Sequence, residues 1–347
     1  MPARDDLTPA DAERALEGRV TSYDVARIAG VSQTTVSRVL AGSDLVRPST
    51  RDRVLRVLDA YGYRPNGIAR AMATGRTSTI GVVVAKITNP FYPELLEAIG
   101  TALDETGRRM TLWSSGAAAE PAAIEAISQG VVDGVIFTGA VADSPALREA
   151  TRRRAAFVLV NRYVEGVLCD TVTTDNVGGG RAAAEHLFAL GHRRIGIIGA
   201  SQHLSTARER EEGFTNVALA AGAHCLLDRR SPSFELGREA ALDIAASADR
   251  PTAVFCMNDL TALGVLSGAA EADLRVPSDL SVLGFDDIDM AQWEPFNLTT
   301  VRQPITDMAR TAVRLLNERL EDPERPPRHR SLKARLVVRE TTAAPPF

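Results

Sequence analysis

Residues 23–40, which read YDVARIAGVSQTTVSRVL, decide the fold of the first part of the chain. Their apolar residues recur at helical spacing, yet Gly30 stands in the middle and Ser32 follows two positions later. A glycine inside a helix costs about 1 kcal/mol relative to alanine, so this glycine is better explained as the end of a helix. We therefore predict two short helices joined by a tight turn.

Capping signals define where these two helices begin and end. Thr21 and Asp24 have the spacing of a capping box, which opens the first helix. Gly30 supplies the positive φ that stops this helix, and Ser32 is the predicted N-cap of a second helix over residues 33–40. The predicted inward-facing residues of the two helices are Val25, Ala26, Ala29, Val36, Val39 and Leu40.

A third helix follows from residue 48, where the segment PSTRD repeats the capping signal. Three helices of this length form a compact helix-turn-helix domain. The residues predicted to face its core from the third helix are Val54, Leu55, Val57, Leu58 and Tyr61.

The outer face of the second helix predicts what this domain contacts. Glutamine pairs with adenine and arginine with guanine in the major groove, whereas Ser32 at the helix N-terminus suits phosphate. A helical hairpin that binds another protein would have the same inner pattern, so the polar face is the feature that favours DNA. The side chains predicted to be exposed on this face are Gln33, Thr34, Ser37 and Arg38.

Charge is distributed unevenly along the chain. The 347 residues have a formal net charge of −4, but residues 19–78 contain ten arginines and four acids, a local net of +6. Such asymmetry indicates that one end meets a polyanion. Because a solvated helix can also be rich in arginine, charge favours nucleic-acid binding only in combination with the polar helix face.

The N-terminal segments closely resemble the lactose-repressor/galactose-repressor (LacI/GalR) family of bacterial transcription regulators. The resemblance rests on YDVARIAGVSQTTVSRVL, RPSTRDRVLRVLDAYGYRPNGIARAMATGRT and STIGVVV, and it extends over residues 21–342. It implies a homodimer that binds palindromic operator DNA and is released by a small effector such as a sugar. A corepressor form, in which a purine-like ligand or sugar phosphate tightens operator binding, stays open.

A hinge helix and linker are predicted over residues 66–78. The third helix breaks near Tyr63, because a residue before proline avoids the α region, and the segment from Asn66 is too short to be a stable helix alone. The resemblance implies that this segment becomes helical on the operator and wedges Met72, with Ala69 one turn earlier, into the minor groove. Packing of Met72 against the core is the alternative. The predicted DNA-binding residues are Ser22, Tyr23, Ser32, Gln33, Thr34, Ser37, Arg38, Tyr63, Asn66, Ala69 and Met72.

From residue 79 onward, strand-like runs alternate with amphipathic helical stretches. The runs lie at 80–84, 135–138, 157–160, 195–198, 253–256 and 280–284, and the helical stretches include 93–107, 179–190 and 303–320. This alternation predicts an α/β core of two parallel sheets with helices on both faces, of the periplasmic-binding-protein type that the resemblance implies. A last strand is predicted over residues 332–338.

These features divide the chain into four parts. We predict a mobile tail over residues 1–18, a helix-turn-helix DNA-binding domain over 19–65, the hinge and linker over 66–78, and an effector-binding and dimerisation core over 79–347. Within the core, the N-subdomain covers about 79–173 and 303–331, and the C-subdomain about 174–302 and 332–345.

Polar residues stand where ligands bind in open α/β sheets, beyond the carboxyl ends of the strands. Asn161 and Arg162 end one predicted strand, and the pairs at 258–259 and 286–287 follow two others. Asp259 and Asp287 also suit the N-cap position of a helix, which is the structural alternative for each.

The resemblance assigns these loops to an effector pocket between the two subdomains. It implies that Arg210 grips a ligand's hydroxyls or carboxylate. The structural alternative is a buried ion pair of Arg210 with Asp286 across the cleft. Pro232 stands where many relatives carry an aromatic, so either Phe234 substitutes for it or the pocket has a different shape. The predicted effector-binding residues are Phe91, Tyr92, Asn161, Arg210, Phe234, Asn258, Asp286 and Gln303.

The remaining motifs favour neither an enzyme nor a metal or nucleotide cofactor. The glycines at 178–180 lack the phosphate-binding patterns, so we attribute them to close packing at the start of a helix. Five histidines and three cysteines have no metal-ligand spacing, and G-x-S-x-G is absent. A sugar-binding module or sugar-converting enzyme with an incidental DNA-binding head is the alternative from another class.

Composition predicts a cytoplasmic protein. No apolar run approaches the ~20 residues that span a bilayer. The first eighteen residues hold five acids and two arginines and lack the apolar segment of a secretion signal. The odd number of cysteines fits reduced side chains rather than disulfides.

Overall fold

The computed structural model describes residues 20–40, 43–63, 76–84, 86–114, 119–140 and 144–346. The chain divides into two compact units between Thr77 and Ser78. The first unit contains the three helices of the head, and the second contains the α/β core. The predicted tail at 1–18 and the hinge segment up to residue 75 lie outside the described residues.

Three helices form the described head, and local capping explains how it begins. The helices are α1 (Ser22–Ile28), α2 (Gln33–Leu40) and α3 (Pro48–Ala60). The capping box is present, because the Thr21 hydroxyl accepts from the Asp24 N–H and the Asp24 carboxylate accepts from the Thr21 N–H. Helix α3 begins differently from the prediction, with Pro48 in its first turn and no side-chain cap.

Gly30 ends α1 as predicted. Its φ is +60°, which side chains other than glycine rarely adopt. The N–H of Gly30 donates to the carbonyl of Arg27, and the N–H of Val31 donates to the carbonyl of Ala26. These two bonds make a Schellman motif, which turns the chain toward α2.

A small apolar core holds the head together, and it differs from the prediction at its edges. Leu40 and Leu55 were expected inside but are 37% and 47% exposed. Each follows a buried residue at the edge of an apolar stripe, where spacing alone does not separate inside from outside. The buried residues are Val25, Ala26, Ala29, Val36, Val39, Val46, Val54 and Leu58.

Two six-stranded sheets form the described core. Sheet 1 has the strand order β11-β5-β4-β3-β1-β2, and sheet 2 has the order β12-β10-β9-β8-β6-β7. All pairs are parallel except β10 with β12. The strands are β1 (Thr79–Val84), β2 (Arg109–Ser114), β3 (Gly134–Phe137), β4 (Phe157–Val160), β5 (Asp170–Thr174), β6 (Arg194–Ile198), β7 (His224–Asp228), β8 (Ala253–Cys256), β9 (Ser281–Asp286), β10 (Thr299–Arg302), β11 (His329–Leu332) and β12 (Arg335–Val337).

Helices cover both faces of each sheet, because the strands are apolar on both sides. In β1, Val82 and Val83 point into two different apolar clusters on opposite faces of sheet 1. The helices are α4 (Phe91–Asp104), α5 (Ala119–Ser128), α6 (Pro145–Arg152), α7 (Asn176–Ala189), α8 (Ser205–Ala220), α9 (Phe234–Ala246), α10 (Asp259–Glu271) and α11 (Ile305–Glu321), with a 3₁₀ helix at Asp289–Gln292. No helix in the described ranges combines the length and the apolar content that crossing a bilayer requires.

Close packing of α7 explains the glycines at 178–180, as predicted. A Cβ on Gly180 would lie 2.2 Å from the carbonyl oxygen of Arg210, and one on Gly179 would lie 2.6 Å from the ring of Phe285. Only glycine permits this approach, which brings α7 against α8.

The chain passes between the sheets three times, after β5, after β10 and between β11 and β12. We call sheet 1 with α4, α5, α6 and α11 the N-lobe, and sheet 2 with α7 to α10 the C-lobe. The passages are bonded to each other: the Thr174 hydroxyl donates to Gln303 Oε1 at 2.5 Å, and the Asp175 N–H donates to the Leu332 carbonyl at 2.7 Å.

The last strand predicted over residues 332–338 is present but shorter, as β12 (Arg335–Val337), and the strand just before it, β11 (His329–Leu332), was not predicted. Strand β11 pairs with β5 in sheet 1, whereas β12 pairs with β10 in sheet 2. The third passage separates them, and side-chain alternation does not reveal a change of sheet.

Candidate functional site

Helix α2 turns polar side chains outward from the head. Thr34, Ser37 and Arg38 are exposed, and Gln33 is half-buried. The Gln33 side-chain amide donates to the Ser37 hydroxyl at 3.2 Å. The Ser32 hydroxyl accepts from the backbone N–H of Thr35 at 3.2 Å, so it caps α2. This face therefore offers donors and acceptors suited to base edges.

The other predicted DNA contacts are only partly described. Tyr23 is 73% exposed beside the half-buried Ser22 at the start of α1. Tyr63 is half-buried and packs against the head core. Three further predicted contacts lie outside the described residues, namely Asn66, Ala69 and Met72.

A cavity lies between the two lobes at the carboxyl ends of their strands. The structure brings together here seven of the predicted effector residues, all except Phe234. The lining comprises Asn89, Phe91, Tyr92, Asn161 and Arg162 from the N-lobe, Leu204, Thr206, Ala207, Arg210, Pro232, Met257, Asn258 and Asp286 from the C-lobe, and Gln303 from the passage after β10.

Pro232, and not Phe234, borders the cavity. The Ser233 hydroxyl accepts from the Leu236 N–H and so caps α9, which makes Phe234 the first helical residue. Phe234 is 36% exposed and outside the lining. Phe234, which was predicted to bind the effector, therefore does not take the place of the missing aromatic at this wall.

The N-lobe wall of the cavity combines aromatic rings with a hydrogen-bond donor that has no partner among the described residues. Phe91 and Tyr92 lie at the start of α4 with ring centroids 5.4 Å apart in an edge-to-face arrangement. Asn161 follows β4 with φ of +72°, a conformation that asparagine tolerates. Beside it, Nε of Arg162 is buried and has no hydrogen-bond partner among the described residues. A ligand oxygen can satisfy that donor.

The C-lobe wall is built around Arg210 and Asp286, whose Nη1 and Oδ1 atoms are 3.5 Å apart. Arg210 also donates from Nε to Asn176 Oδ1 at 2.9 Å and from Nη1 to the Met257 carbonyl at 2.5 Å. Its guanidinium carbon lies 3.6 Å from the ring centroid of Phe285. Both members belong to the C-lobe, so the alternative of a buried pair is present but does not cross the cleft.

Burial shifts both members of this pair toward their neutral forms. It lowers the pKa of Arg210 to about 10, against the charge of Asp286, so the guanidinium remains protonated at neutral pH. Burial likewise raises the pKa of Asp286, and Arg210 and the side chain of Gln303 oppose that rise. The wall thus presents donors and an acceptor side by side, the combination that hydroxyl groups require.

Asp259 is not a helix N-cap. Asn258 caps α10, since its Oδ1 accepts from the Thr261 N–H at 2.9 Å. Asp259 is fully buried and accepts from the Ile288 N–H at 3.0 Å and from the Thr300 hydroxyl at 2.5 Å. Burial raises the pKa of this carboxyl, and the charge of the neighbouring Asp286 raises it further.

Asp287 is not an N-cap either. It forms ion pairs with Arg302 and Arg339, the second at 2.6 Å. These contacts join β10 to the segment after β12, so Asp287 serves the packing of sheet 2. It does not belong to the cavity lining.

Two further contacts join the lobes outside the cavity lining. Arg208 of α8 pairs with Glu165 of the N-lobe at 2.7 Å. On α4, the Glu94 carboxyl accepts from the Asp289 N–H at 2.9 Å. Burial raises the pKa of Glu94 to about 7, against that backbone hydrogen bond, and the charge of Asp289 adds to the rise.

The lining includes residues that sequence reasoning missed. Leu204, Thr206 and Ala207 lie at the start of α8, and Ala207 stands three positions before Arg210 on the same helix face. That helical spacing was the signal for Ala207. Met257 carried no such signal, because it contributes through its position after β8.

Comparison with known proteins gives matches for both units. Residues 21–66 match the family model of bacterial regulatory proteins of the lacI family, and residues 184–342 match that of a periplasmic binding protein-like domain. The HTH-type transcriptional repressor PurR of Photobacterium profundum is 33% identical over 328 residues, covering 92% of this chain and 98% of the relative.

Solved structures agree with these matches. The lac repressor dimer bound to operator and the anti-inducer ONPF has a TM-score of 0.83 at 28% identity, covering 94% of this chain and 99% of that chain. A LacI family transcriptional regulator from Enterococcus faecium with bound ribose has a TM-score of 0.69 at 31% identity, covering 77% of this chain and 99% of that chain.

Proposed function

Because this chain belongs to the lacI family of bacterial transcription regulators, which are DNA-binding proteins and not enzymes, we propose that it binds a palindromic operator as a homodimer and that a small sugar in the cavity releases it. The observation that supports a sugar as the ligand is the buried Arg210–Asp286 pair at the cavity wall. A regulator of bacterial genes acts in the cytoplasm, and we place this protein there.

The polar face of α2 supports operator recognition. Arg38 and Thr34 are exposed, and Ser37 and Gln33 form a hydrogen-bonded pair beside them. Arginine and glutamine side chains make bidentate contacts with guanine and adenine. We propose that these residues contact base edges of the operator. The proposed contacts to the DNA backbone come from Ser22, Tyr23, Ser32 and Tyr63, and the proposed contacts from the hinge to the minor groove come from Asn66, Ala69 and Met72.

The edge strands of the core support a homodimer. Met110 and Leu112 on β2, and Leu226 and Leu227 on β7, are 40% to 43% exposed. Exposed apolar edge strands favour association with another chain. We propose that a second copy of this chain covers them, and sedimentation of the purified protein tests that assembly.

The chemistry of the cavity supports a sugar. Asn161, Arg162, Asn258 and Gln303 supply further amides and a guanidinium around the Arg210–Asp286 pair. Neighbouring donors and acceptors match vicinal hydroxyl groups. The Enterococcus relative binds ribose, a ligand of this class.

Two linked measurements test the proposal. Selection from a random duplex library identifies the operator, and thermal shift screens pentoses, hexoses, sugar phosphates and nucleosides, since a ligand of the folded state raises apparent stability. A mobility-shift titration then measures operator affinity with the ligand found. We expect a monosaccharide to weaken operator binding.

Arg162→Met tests the proposed role of the cavity in ligand binding. Because Nε of Arg162 has no hydrogen-bond partner in the described protein, its loss removes a ligand contact and breaks no hydrogen bond of that atom. It also removes a positive charge near Asp286, so urea unfolding of the ligand-free variant is the control. We expect monosaccharide affinity to fall about tenfold, as for one charged hydrogen bond. Tightening of operator binding by the ligand would favour the corepressor form, and absence of any duplex preference would refute the regulator.

A further inference from the structure

A closed ring of polar contacts joins the cavity to two of the passages between the lobes. The Thr174 hydroxyl donates to Gln303 Oε1 at 2.5 Å, and Gln303 Nε2 donates to Asp286 Oδ1 at 2.7 Å. Asp286 pairs with Arg210 at 3.5 Å. Arg210 Nε donates to Asn176 Oδ1 at 2.9 Å, and Asn176 Nδ2 donates to the Thr174 carbonyl at 3.1 Å, which completes the ring.

The members of the ring occupy two kinds of position. Arg210, Asp286 and Gln303 line the cavity, whereas Thr174 and Asn176 do not. Thr174 ends β5 and Asn176 begins α7, so both lie on the first passage, and Gln303 lies on the second. All five residues are at most 4% exposed, and Thr174 and Asn176, which lie outside the cavity, are out of reach of water that could replace a lost partner.

The ring fixes the orientation of the two groups that a ligand would meet. Both ends of the Gln303 amide are used, its oxygen by Thr174 and its nitrogen by Asp286, so the amide is held in one direction. Asn176 likewise holds the guanidinium of Arg210 through Nε and is itself held by Glu209 at 2.9 Å.

We propose that Thr174 and Asn176 are positioning residues, which orient Gln303 and Arg210 for the ligand and transmit occupancy of the cavity to the passages. The proposal rests on the proposed function, because it requires that a ligand occupies the cavity. A ligand hydroxyl that binds Arg210 and Asp286 competes with the bond between Asp286 and Gln303. Release of Gln303 then alters the bonds that tie the second passage to Thr174 on the first.

Removal of the Thr174 hydroxyl tests this role. Thr174→Val keeps the shape of the side chain and leaves Gln303 Oε1 without its donor, whereas Thr174→Ser retains the donor. Thr173→Val is the matched control, since Thr173 lies next to Thr174 on β5, is 3% exposed and contacts His329 instead of the ring.

The readouts are hydrogen exchange of the full-length protein without ligand and calorimetric affinity for D-ribose and the other monosaccharides of the panel. In Thr174→Val we expect exchange over residues 302–305 to rise about tenfold and monosaccharide affinity to fall about tenfold, the loss of one buried hydrogen bond. This window leaves out Met308, whose Sδ lies 3.3 Å from the Thr174 hydroxyl. Thr174→Ser should restore both values, and Thr173→Val should change neither.

The outcomes separate this inference from the proposed function. Exchange and affinity within twofold of wild type in Thr174→Val would overturn the inference. If the wild-type protein binds no monosaccharide, the proposed function fails, and the exchange over 302–305 still decides whether Thr174 holds Gln303. Should Thr174→Val not fold, Asn176→Ser removes the acceptor of Arg210 and must give the same loss of affinity for the inference to stand.

Discussion

Arg38 lies on the exposed face of α2 and carries the fixed donor fork that reads guanine. We predict that Arg38→Ala weakens operator binding by about 1–3 kcal/mol and relaxes specificity at one base pair of each half-site. The measurement is affinity for the operator and for its single-base variants. Arg53→Ala, at an exposed position of α3, is the comparison and should weaken binding equally across sequences. Unchanged base preference in Arg38→Ala would contradict the assignment of α2.

Asp170 is the most heavily bonded carboxylate in the N-lobe among the described residues. It is fully buried and accepts from Arg319 at 3.0 Å and from both terminal nitrogens of Arg325 at 2.8 and 2.9 Å. The backbone N–H of Arg328 adds a further bond at 2.9 Å. Because these arginines belong to α11 and to the segment before β11, Asp170 ties three parts of the N-lobe together.

Asp170→Asn should therefore destabilise the core severely. Removing the negative charge leaves two largely buried guanidinium groups without their counter-ion, which costs about 3–5 kcal/mol. Urea unfolding of the full chain measures the loss. Glu149→Gln, which breaks an exposed pair with Arg153, is the control and should leave stability unchanged. Equal stability of both variants would show that the buried cluster contributes nothing.

At the level of the element, the turn between α1 and α2 depends on one backbone conformation. A Cβ at Gly30 would meet nothing within 4 Å, so a substitution there acts only through its φ of +60°. We predict that Gly30→Ala destabilises the head by about 1–2 kcal/mol and Gly30→Asn by less, since asparagine tolerates this conformation. Native-state hydrogen exchange of α1 and α2 in the full chain measures the loss. Identical protection in all three proteins would refute it.

The elements that sequence reasoning recovered are those with local or strongly apolar signals. The capping box, Gly30 and the six apolar strand runs were all confirmed in place. Strands β5 and β10 were missed because they are rich in threonine, whose buried hydroxyls are satisfied by distant partners such as Gln303. Strands β2 and β7 were missed because they lie at sheet edges and are largely exposed.

Some features of the cavity could likewise be predicted from the sequence, and others could not. Residues at the carboxyl ends of strands, such as Asn161 and Asp286, could be predicted because the topology of a parallel sheet puts them at one edge. Two features of the cavity could not be predicted: that Arg210 and Asp286 pair within one lobe, and that Phe234 is absent from the lining. They depend on which lobe carries each side chain and on where α9 begins, and no pattern within a single element gives that information.

For the whole molecule, the carboxyl of Glu94 makes the stability of the folded protein depend on pH. Its carboxyl belongs to the N-lobe and its donor, Asp289, to the C-lobe. The pKa of about 7 lies above the ordinary value of 4.5, because burial and the charges of Asp289, Asp286 and Asp287 disfavour ionisation despite the hydrogen bond. The folded protein therefore retains a proton that the unfolded chain releases, and stability declines as pH rises from about 4.5 to about 7.

Glu94→Gln removes this titration. We predict that the free energy of unfolding of the variant rises relative to that of wild type as pH increases from about 5 to about 8. The expected gain is roughly 1 kcal/mol, because solvent screening reduces the effect of the pKa shift in this half-buried group. Urea unfolding of the two proteins across this pH range gives the difference directly. A difference that does not vary with pH would contradict the link.

The three passages between the lobes restrict how the lobes can move. Thr174 is bonded to Gln303, and Asp175 to Leu332, so each passage is fastened to a neighbour. Sliding one lobe past the other would have to stretch all three backbones together and break these bonds. Bending, by contrast, is distributed over a few backbone dihedrals in each passage. The motion that these bonds allow most easily is consequently a rotation of one lobe relative to the other. Ligand binding in the cavity would therefore be transmitted as a change in the angle between the lobes.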